Sequence, residues 1–373
     1  MRQSVWKQDT FAAELKKTLE ERKVTSIMLV CGNSFRRQEL YEQLGKLADQ
    51  QGCSLTEFSD FEPNPDYCSV VKGVQVFLDN RCDFLIAAGG GSALDVAKCI
   101  KLFSNMDHGR NYLEQEIVEQ ELPFLAIPTT AGTGSEATRF AVIYYQGEKQ
   151  SVNHLSCIPE YVLLDAELLD TLPLYQKKVT MLDAFCHAVE SFWSVNSTEE
   201  SKEYAAAAIR LLLDWKDLYL QNDRQGNEQM LLAANLAGKA INLTQTTAGH
   251  AMAYKLTTLY GLPHGHATAL CVNVLFPFMV NDPGKCTDPR GSAYLSGVFM
   301  EIAKAMGCNT VEAAICKFHG MLKELEIMAP AMNDEQELNV LKRSVNIERL
   351  KNHPICLDEQ TLEGLYRKIL TNA

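Results

Sequence analysis

Apolar and polar positions in the first half of the chain alternate between two periods. A helical spacing runs from about Thr10 to Glu21, and the apolar run SIMLVCG, Ser26 to Gly32, follows it as a strand. The rhythm continues with a helix in RRQELYEQLGKLADQ, a strand near Ser54 to Phe58, a helix near Tyr67 to Leu78, and the run DFLIAAGGG, which ends in glycines. SALDVAKCIKLF returns to helical spacing. PFLAIPTT reads as another apolar strand, AGTGSEAT as a small-residue loop, and FAVIYY and YVLLD as a short strand pair. Such alternation predicts an open α/β domain. From about Leu174 the pattern changes to long amphipathic helices, KKVTMLDAFCHAVESFWSV, ESKEYAAAAIRLLLDWKDLYL and NEQMLLAANLAGKAINL, with few strand signals. The boundary falls near Pro173, giving an α/β domain over residues 1–173 and an all-helical domain over 174–373. NDPGKCTDPRG, Asn281 to Gly291, reads as a surface loop.

Composition narrows the class. A chain of 373 residues, 46% hydrophobic and 22% charged, is long enough for two buried cores. The N-terminal stretch has no apolar leader, and no run approaches the roughly 20 apolar residues that span a bilayer, so a cytoplasmic protein without a membrane partner is expected. Twelve scattered cysteines without a CxxC pair read as buried, reduced thiols. A net charge of −12 argues against nucleic acid as a partner. It also requires that any anionic substrate be met by locally placed cations.

Two sets of residues carry chemistry. Gly89, Gly90, Gly91 and Ser92 join an apolar strand to a helix, where backbone amides and the helix N-terminus can face a phosphate. Glycine-rich turns also serve tight packing alone, but a second loop, PTTAGTGSE from Pro128 to Glu136, strengthens the reading of a dinucleotide cleft. Asp183 and His187 stand four residues apart on one helix face. The stretch GHAMAYKLTTLYGLPHGHA adds His250, His264 and His266. Unbroken helix would hold His250 and His264 about 21 Å apart, too far to share an ion at bond lengths of about 2.1 Å. The chain must break between them, and Gly261-Leu262-Pro263 offers the break. An Asp/His/His/His set suits Fe²⁺ or Zn²⁺ with one coordination position open.

In order, the chain carries GGGSxxDxAK from Gly89 through Asp95 to Lys98, PTTxGTGSE from Pro128, Asp-x3-His at Asp183 and His187, and His-x13-His at His250 and His264. It thereby resembles, over nearly its whole length, the iron-containing alcohol dehydrogenases. The resemblance implies an α/β N-terminal dinucleotide-binding domain followed by an all-α metal-binding domain, an architecture that is also dehydroquinate synthase-like. It implies Asp183, His187, His250 and His264 as metal ligands. Gly90, Gly91, Ser92, Asp95, Thr129, Thr130 and Thr133 become cofactor contacts, with Lys149 at the nicotinamide ribose, and a homodimer is expected. Two positions depart from the family pattern. Tyr254 stands where many members carry a second histidine of a proton relay, leaving Tyr254, His266 or water for that task. Gly32 stands where NAD-preferring members carry Asp, and Asn33, Ser34, Arg36 and Arg37 are close by. Gly32, Asn33 and Ser34 are therefore expected at the cofactor, with NADPH preferred and NADH accepted; the alternative is that both arginines only solvate the next helix.

Within the family, SEATRFAVIY around Arg139, ESFWSVNSTEESKEYAA from Glu190 and HAMAYKLTTLYGLPHGHA from His250 resemble the phosphonoacetaldehyde reductases. The resemblance implies reduction of a small aldehyde, phosphonoacetaldehyde, to 2-hydroxyethylphosphonate, and charge-assisted contacts from Arg139 and Lys255 would suit the phosphonate. The alternatives are a general short-chain alcohol, aldehyde or diol dehydrogenase with an apolar pocket, and a noncatalytic nucleotide sensor on the same fold.

Overall fold

The computed structural model describes residues 3–345 and 350–371, and the chain divides into two units, Met1–Thr171 and Leu172–Ala373. In the first, the strands are β1 (Ser4–Lys7), β2 (Ser26–Cys31), β3 (Ser54–Phe58), β4 (Phe84–Gly89), β5 (Phe124–Pro128), β6 (Phe140–Tyr145), β7 (Glu148–Asn153) and β8 (Tyr161–Leu164). The helices are α1 (Gln8–Arg22), α2 (Glu39–Gln50), α3 (Tyr67–Asp79) and α4 (Gly91–Phe103). Six strands form a parallel sheet in the order β1-β8-β5-β4-β2-β3. Every residue of β2, β4 and β5 is buried, as in a sheet covered on both faces. Phe11, Leu15 and Leu44 pack on one face, and Val70, Val74 and Ile100 on the other. The chain runs outward from β2 to β3 and then returns to β4 on the other side of β2. Such a reversal opens a crevice at the carboxyl ends of the two strands, where ligands of open α/β sheets bind.

Two strands differ from the expectation. FAVIYY and YVLLD do not pair with each other: β6 pairs antiparallel with β7, the polar run EKQSVN, while Tyr161–Leu164 lies in the main sheet between β1 and β5. The hairpin is closed by Gln146 and Gly147, both at positive φ (54° and 79°), the geometry that suits a two-residue turn. β1 shows no alternation in sequence because only Trp6 of its residues is buried.

The second unit holds helices α5 (Leu174–Trp193), α6 (Glu199–Leu220), α7 (Arg224–Thr244), α8 (Ala248–Tyr260), α9 (His264–Asn281), α10 (Ser292–Ala305), α11 (Val311–Glu324), α12 (Gln336–Arg343) and α13 (Glu359–Thr371), with no strand among the described residues. From Met181 to Trp193, α5 is buried at every position, which makes it a core helix; α6, α7 and α9 pack around it. No helix is long and apolar enough to cross a membrane.

Candidate metal centre and cofactor loops

Helical spacing places Asp183 and His187 one turn apart on α5, and both are buried. His250, in the first turn of α8, joins them: each of the three offers a ligand atom within 4.8 Å of the others, and the rings of His187 and His250 stack with centroids 4.4 Å apart. The break between His250 and His264 is present. Gly261 ends α8 in the left-handed region at φ 66°, and Pro263 precedes α9. The rings of His250 and His264 thereby come to 5.4 Å. Two glycines let this chain segment close onto α5. A Cβ on Gly265 would overlap the Val179 carbonyl oxygen and stand 2.8 Å from Asp183 Cβ, and one on Gly249 would stand 2.9 Å from Glu190 Oε1.

Glu190 is the residue that sequence reasoning missed. It is fully buried and accepts hydrogen bonds from the Thr247 hydroxyl (2.5 Å), the Gly249 N–H (2.7 Å) and the Nδ1–H of His250. The indole N–H of Trp193 donates to Thr247 Oγ1 at 2.9 Å and steadies that end. With Nδ1 engaged, His250 turns Nε2 toward Asp183 Oδ1, 3.6 Å away. Both atoms are buried without a hydrogen-bond partner. A buried donor set left open in this way is rare and calls for an explanation, and a divalent cation satisfies both atoms. The residues therefore fit a metal. Burial acts to raise the Asp183 and Glu190 carboxyls and to lower His250, but the charges oppose it: the histidines hold both carboxyls below the ordinary range, and Glu190 and Asp183 push His250 up. The sequence signal for Glu190 was its position three residues after His187 and seven after Asp183, on the same helix face.

Tyr254 lies over the ring of His264, centroids 5.4 Å apart and nearly parallel at 6°. His266 is buried. Its Nδ1 is bonded to the Tyr175 hydroxyl and its Nε2 to the Met328 carbonyl, each at 2.8 Å. With both ring nitrogens engaged, it ties the Met328 segment to α5. Lys255 is half-buried on α8, and its side chain makes no hydrogen bond or ion pair among the described residues.

In the first unit, α4 begins at Gly91 with Gly90 as its N-cap and no side chain capping it, which leaves first-turn amides available to an anion. Thr129 N–H donates to Gly89 O at 3.0 Å and joins the two loops. A Cβ on Gly91 would meet Thr133 Cγ2 at 3.1 Å. Asp95, expected at the cofactor, has both carboxylate oxygens engaged by the protein: Ser135 Oγ donates to one (2.9 Å) and Val142 N–H to the other (3.1 Å). Lys98 is fully buried and donates to Ser135 Oγ (2.9 Å), Thr138 Oγ1 (3.1 Å) and Phe140 O (2.7 Å); burial pushes its pKa down. Together they pin the second loop to α4. Gly32, Asn33 and Ser34 follow β2, on the other side of the strand reversal. Arg36 is bound by Glu57, Asn33 and Ser59, while Arg37 is exposed. Lys149 sits on β7 opposite Tyr144, and the Arg139 guanidinium stands 5.4 Å from the Phe140 ring.

Comparison with known proteins gives consistent findings. Residues 4–166 match the iron-containing alcohol dehydrogenase family, and residues 177–369 match the C-terminal part of the Fe-containing alcohol dehydrogenase family. Alcohol dehydrogenase 4 of Schizosaccharomyces pombe is 30% identical, the match covering 84% of this chain and 74% of that protein. The phosphonoacetaldehyde reductase of Streptomyces viridochromogenes is 31% identical, over 76% of this chain and 75% of its own. The crystal structure of sulfoacetaldehyde reductase from Bifidobacterium kashiwanohense in complex with NAD⁺ superposes with a TM-score of 0.87 at 25% identity, covering 100% of this chain and 98% of that one.

Proposed function

The chain belongs to the iron-containing alcohol dehydrogenase family, and from that premise we propose that it reduces phosphonoacetaldehyde to 2-hydroxyethylphosphonate. The observation that carries the dehydrogenase chemistry is the buried Asp183, His187 and His250 group with its open pair of atoms. Asp183, His187, His250 and His264 would hold Fe²⁺, with Zn²⁺ as the competing ion. A bound ion of this kind supplies Lewis acidity toward a carbonyl oxygen, and the nicotinamide supplies the hydride.

The chain's own residues do the rest. Glu190 fixes the tautomer and angle of His250. Tyr254, stacked on His264, returns the proton that the product alcohol needs. The amides at the start of α4 and the loop from Thr129 to Thr133 bind the cofactor's pyrophosphate, Asn33 and Ser34 meet its adenosine ribose, and Lys149 the nicotinamide ribose. NADPH is the preferred cofactor in this reading and NADH is accepted, Arg36 and Arg37 being the cations that follow β2.

The substrate reading rests on chemistry shared by two relatives. Phosphonoacetaldehyde and sulfoacetaldehyde, for which they are named, are both two-carbon aldehydes bearing a tetrahedral oxyanion. In a chain of net charge −12, such an anion needs dedicated cations. Lys255, whose side chain has no hydrogen-bond or ion-pair partner among the described residues, and Arg139 are the cations we assign to it. In this reading the enzyme is a cytoplasmic homodimer, the assembly being checked by sedimentation equilibrium. The test is steady-state oxidation of NADH and NADPH by Fe²⁺-loaded protein with phosphonoacetaldehyde, acetaldehyde and propionaldehyde. A kcat/KM for the phosphonate at least about a hundredfold above the others, worth about 2.7 kcal/mol, supports the assignment. Equal values for all three replace it with a general short-chain aldehyde reductase.

A further inference from the structure

We propose that Glu57 sets the balance between NADH and NADPH by holding Arg36 away from the cofactor; this rests on the dinucleotide reading of the first unit. A dinucleotide in the crevice beside β4 lays its pyrophosphate at the N-terminus of α4 and turns its adenosine ribose toward the neighbouring strand β2. The loop after β2, Gly32 to Ser34, contains no acid. The nearest charges come from elsewhere: Arg36 in the short turn Phe35–Arg37, and Glu57 on β3, whose backbone is in register with Leu29 of β2. Glu57 is the next-to-last residue of β3, which runs parallel to β2, and Arg36 follows the end of β2, so the pair stands at the carboxyl edge of the sheet where the crevice opens.

The guanidinium is nearly saturated. Its Nε and Nη2 donate to Glu57 Oε1, its Nη1 to Asn33 Oδ1 at 2.8 Å, and its Nη2 also to Ser59 Oγ at 2.7 Å. The other oxygen of Glu57 accepts from the Tyr41 hydroxyl at 2.7 Å, which fixes the carboxylate from behind. An arginine has five N–H donors, and four of these are in use. A 2′-phosphate arriving at this edge must break the pair and then lie beside the carboxylate it has displaced. Ribose hydroxyls face no such repulsion and find Asn33 and Ser34 exposed. Counting arginines after β2 therefore overstates the affinity for NADPH, because the structure neutralises one of them from the adjacent strand.

The experiment compares kcat/KM for NADH and NADPH at a fixed, saturating aldehyde, and the binding of adenosine 2′,5′-bisphosphate against AMP, in wild type, Glu57→Gln, Arg36→Gln and the double variant. Glu57→Gln is expected to raise the NADPH/NADH ratio by about tenfold or more, through a lower KM for NADPH, and to tighten the bisphosphate relative to AMP. Adding Arg36→Gln returns the ratio to the wild-type value, and Arg36→Gln alone moves it less than about twofold. The role is overturned if Glu57→Gln turns over NADH but leaves the ratio unmoved, if its gain survives loss of Arg36, or if Arg36→Gln alone abolishes use of NADPH. Wild-type protein that binds neither cofactor nor either adenosine probe overturns the dinucleotide reading itself, and this role with it.

Discussion

Replacing Glu190 by Gln keeps the volume of a fully buried side chain and removes its charge, so the effect can be worked out donor by donor. Three groups aim at the carboxylate: the Thr247 hydroxyl, the Gly249 N–H and the Nδ1–H of His250. An amide has one accepting oxygen and one NH₂ group. If the oxygen stays on Thr247 and Gly249, the NH₂ faces Nδ1 of His250, and the imidazole must move its proton to Nε2, the atom turned toward Asp183. A protonated Nε2 cannot ligate. If the amide flips instead, Thr247 and Gly249 lose their acceptor in a dry site, at about 1–3 kcal/mol for each group left unpaired. Either way the cost falls on metal binding. Partners of this kind are worth roughly 10–100-fold in metal affinity, or about 1.4–2.7 kcal/mol.

The assay is competition for Fe²⁺ or Zn²⁺ against a chelating indicator, with circular dichroism of the metal-free protein to confirm that the helices persist. Glu190→Asp retains the charge and is expected to recover part of the loss. Affinity within about twofold of wild type in folded Glu190→Gln would refute the argument that this carboxylate orients His250.

Three further outcomes follow from the same geometry. Gly265→Ala forces a methyl into the Val179 carbonyl, so α9 must move off α5 at a cost of about 1–3 kcal/mol; metal content after desalting is expected to fall, and a full complement would show that the close approach does not matter. Lys98→Met removes three hydrogen bonds that pin the second cofactor loop, and is expected to raise KM for the cofactor about tenfold while leaving KM for the aldehyde nearly unchanged. His353 is buried with neither ring nitrogen bonded, and burial pushes it from 6.5 down to about 4. The unfolded chain takes up this proton first, so stability present above about pH 6.5 declines as pH falls toward about 4, by up to about 3 kcal/mol. Unfolding midpoints of wild type and His353→Gln across that window check the sign: the variant should lack this part of the slope.

What the sequence made legible, and what it hid, divides along one line. Features set within a few residues were readable: the helix spacing of Asp183 and His187, the break at Gly261 and Pro263, and the glycine run after β4. β7 was hidden because EKQSVN is polar, its place earned by pairing with β6, and the position of Tyr161–Leu164 beside β1 depends on a strand that shows no alternation of its own. The site behaves in the same way. Glu190 matters because Thr247 and Gly249, 57 and 59 residues further along the chain, aim donors at it, and no local spacing announces that meeting. Arg36 reads as a free cation in VCGNSFRR, yet the adjacency of β2 and β3 brings Glu57 against it. His266 reads as a third candidate beside His264, yet two residues of helix turn it to the opposite side, where Tyr175 and Met328 take both nitrogens. A histidine's chemistry is decided by what binds its other nitrogen. For His250 that partner is a carboxylate which leaves Nε2 open; for His266 nothing is left open. The candidate donor set was thus visible as a pattern of residue types, while the partner of each ring nitrogen required the fold.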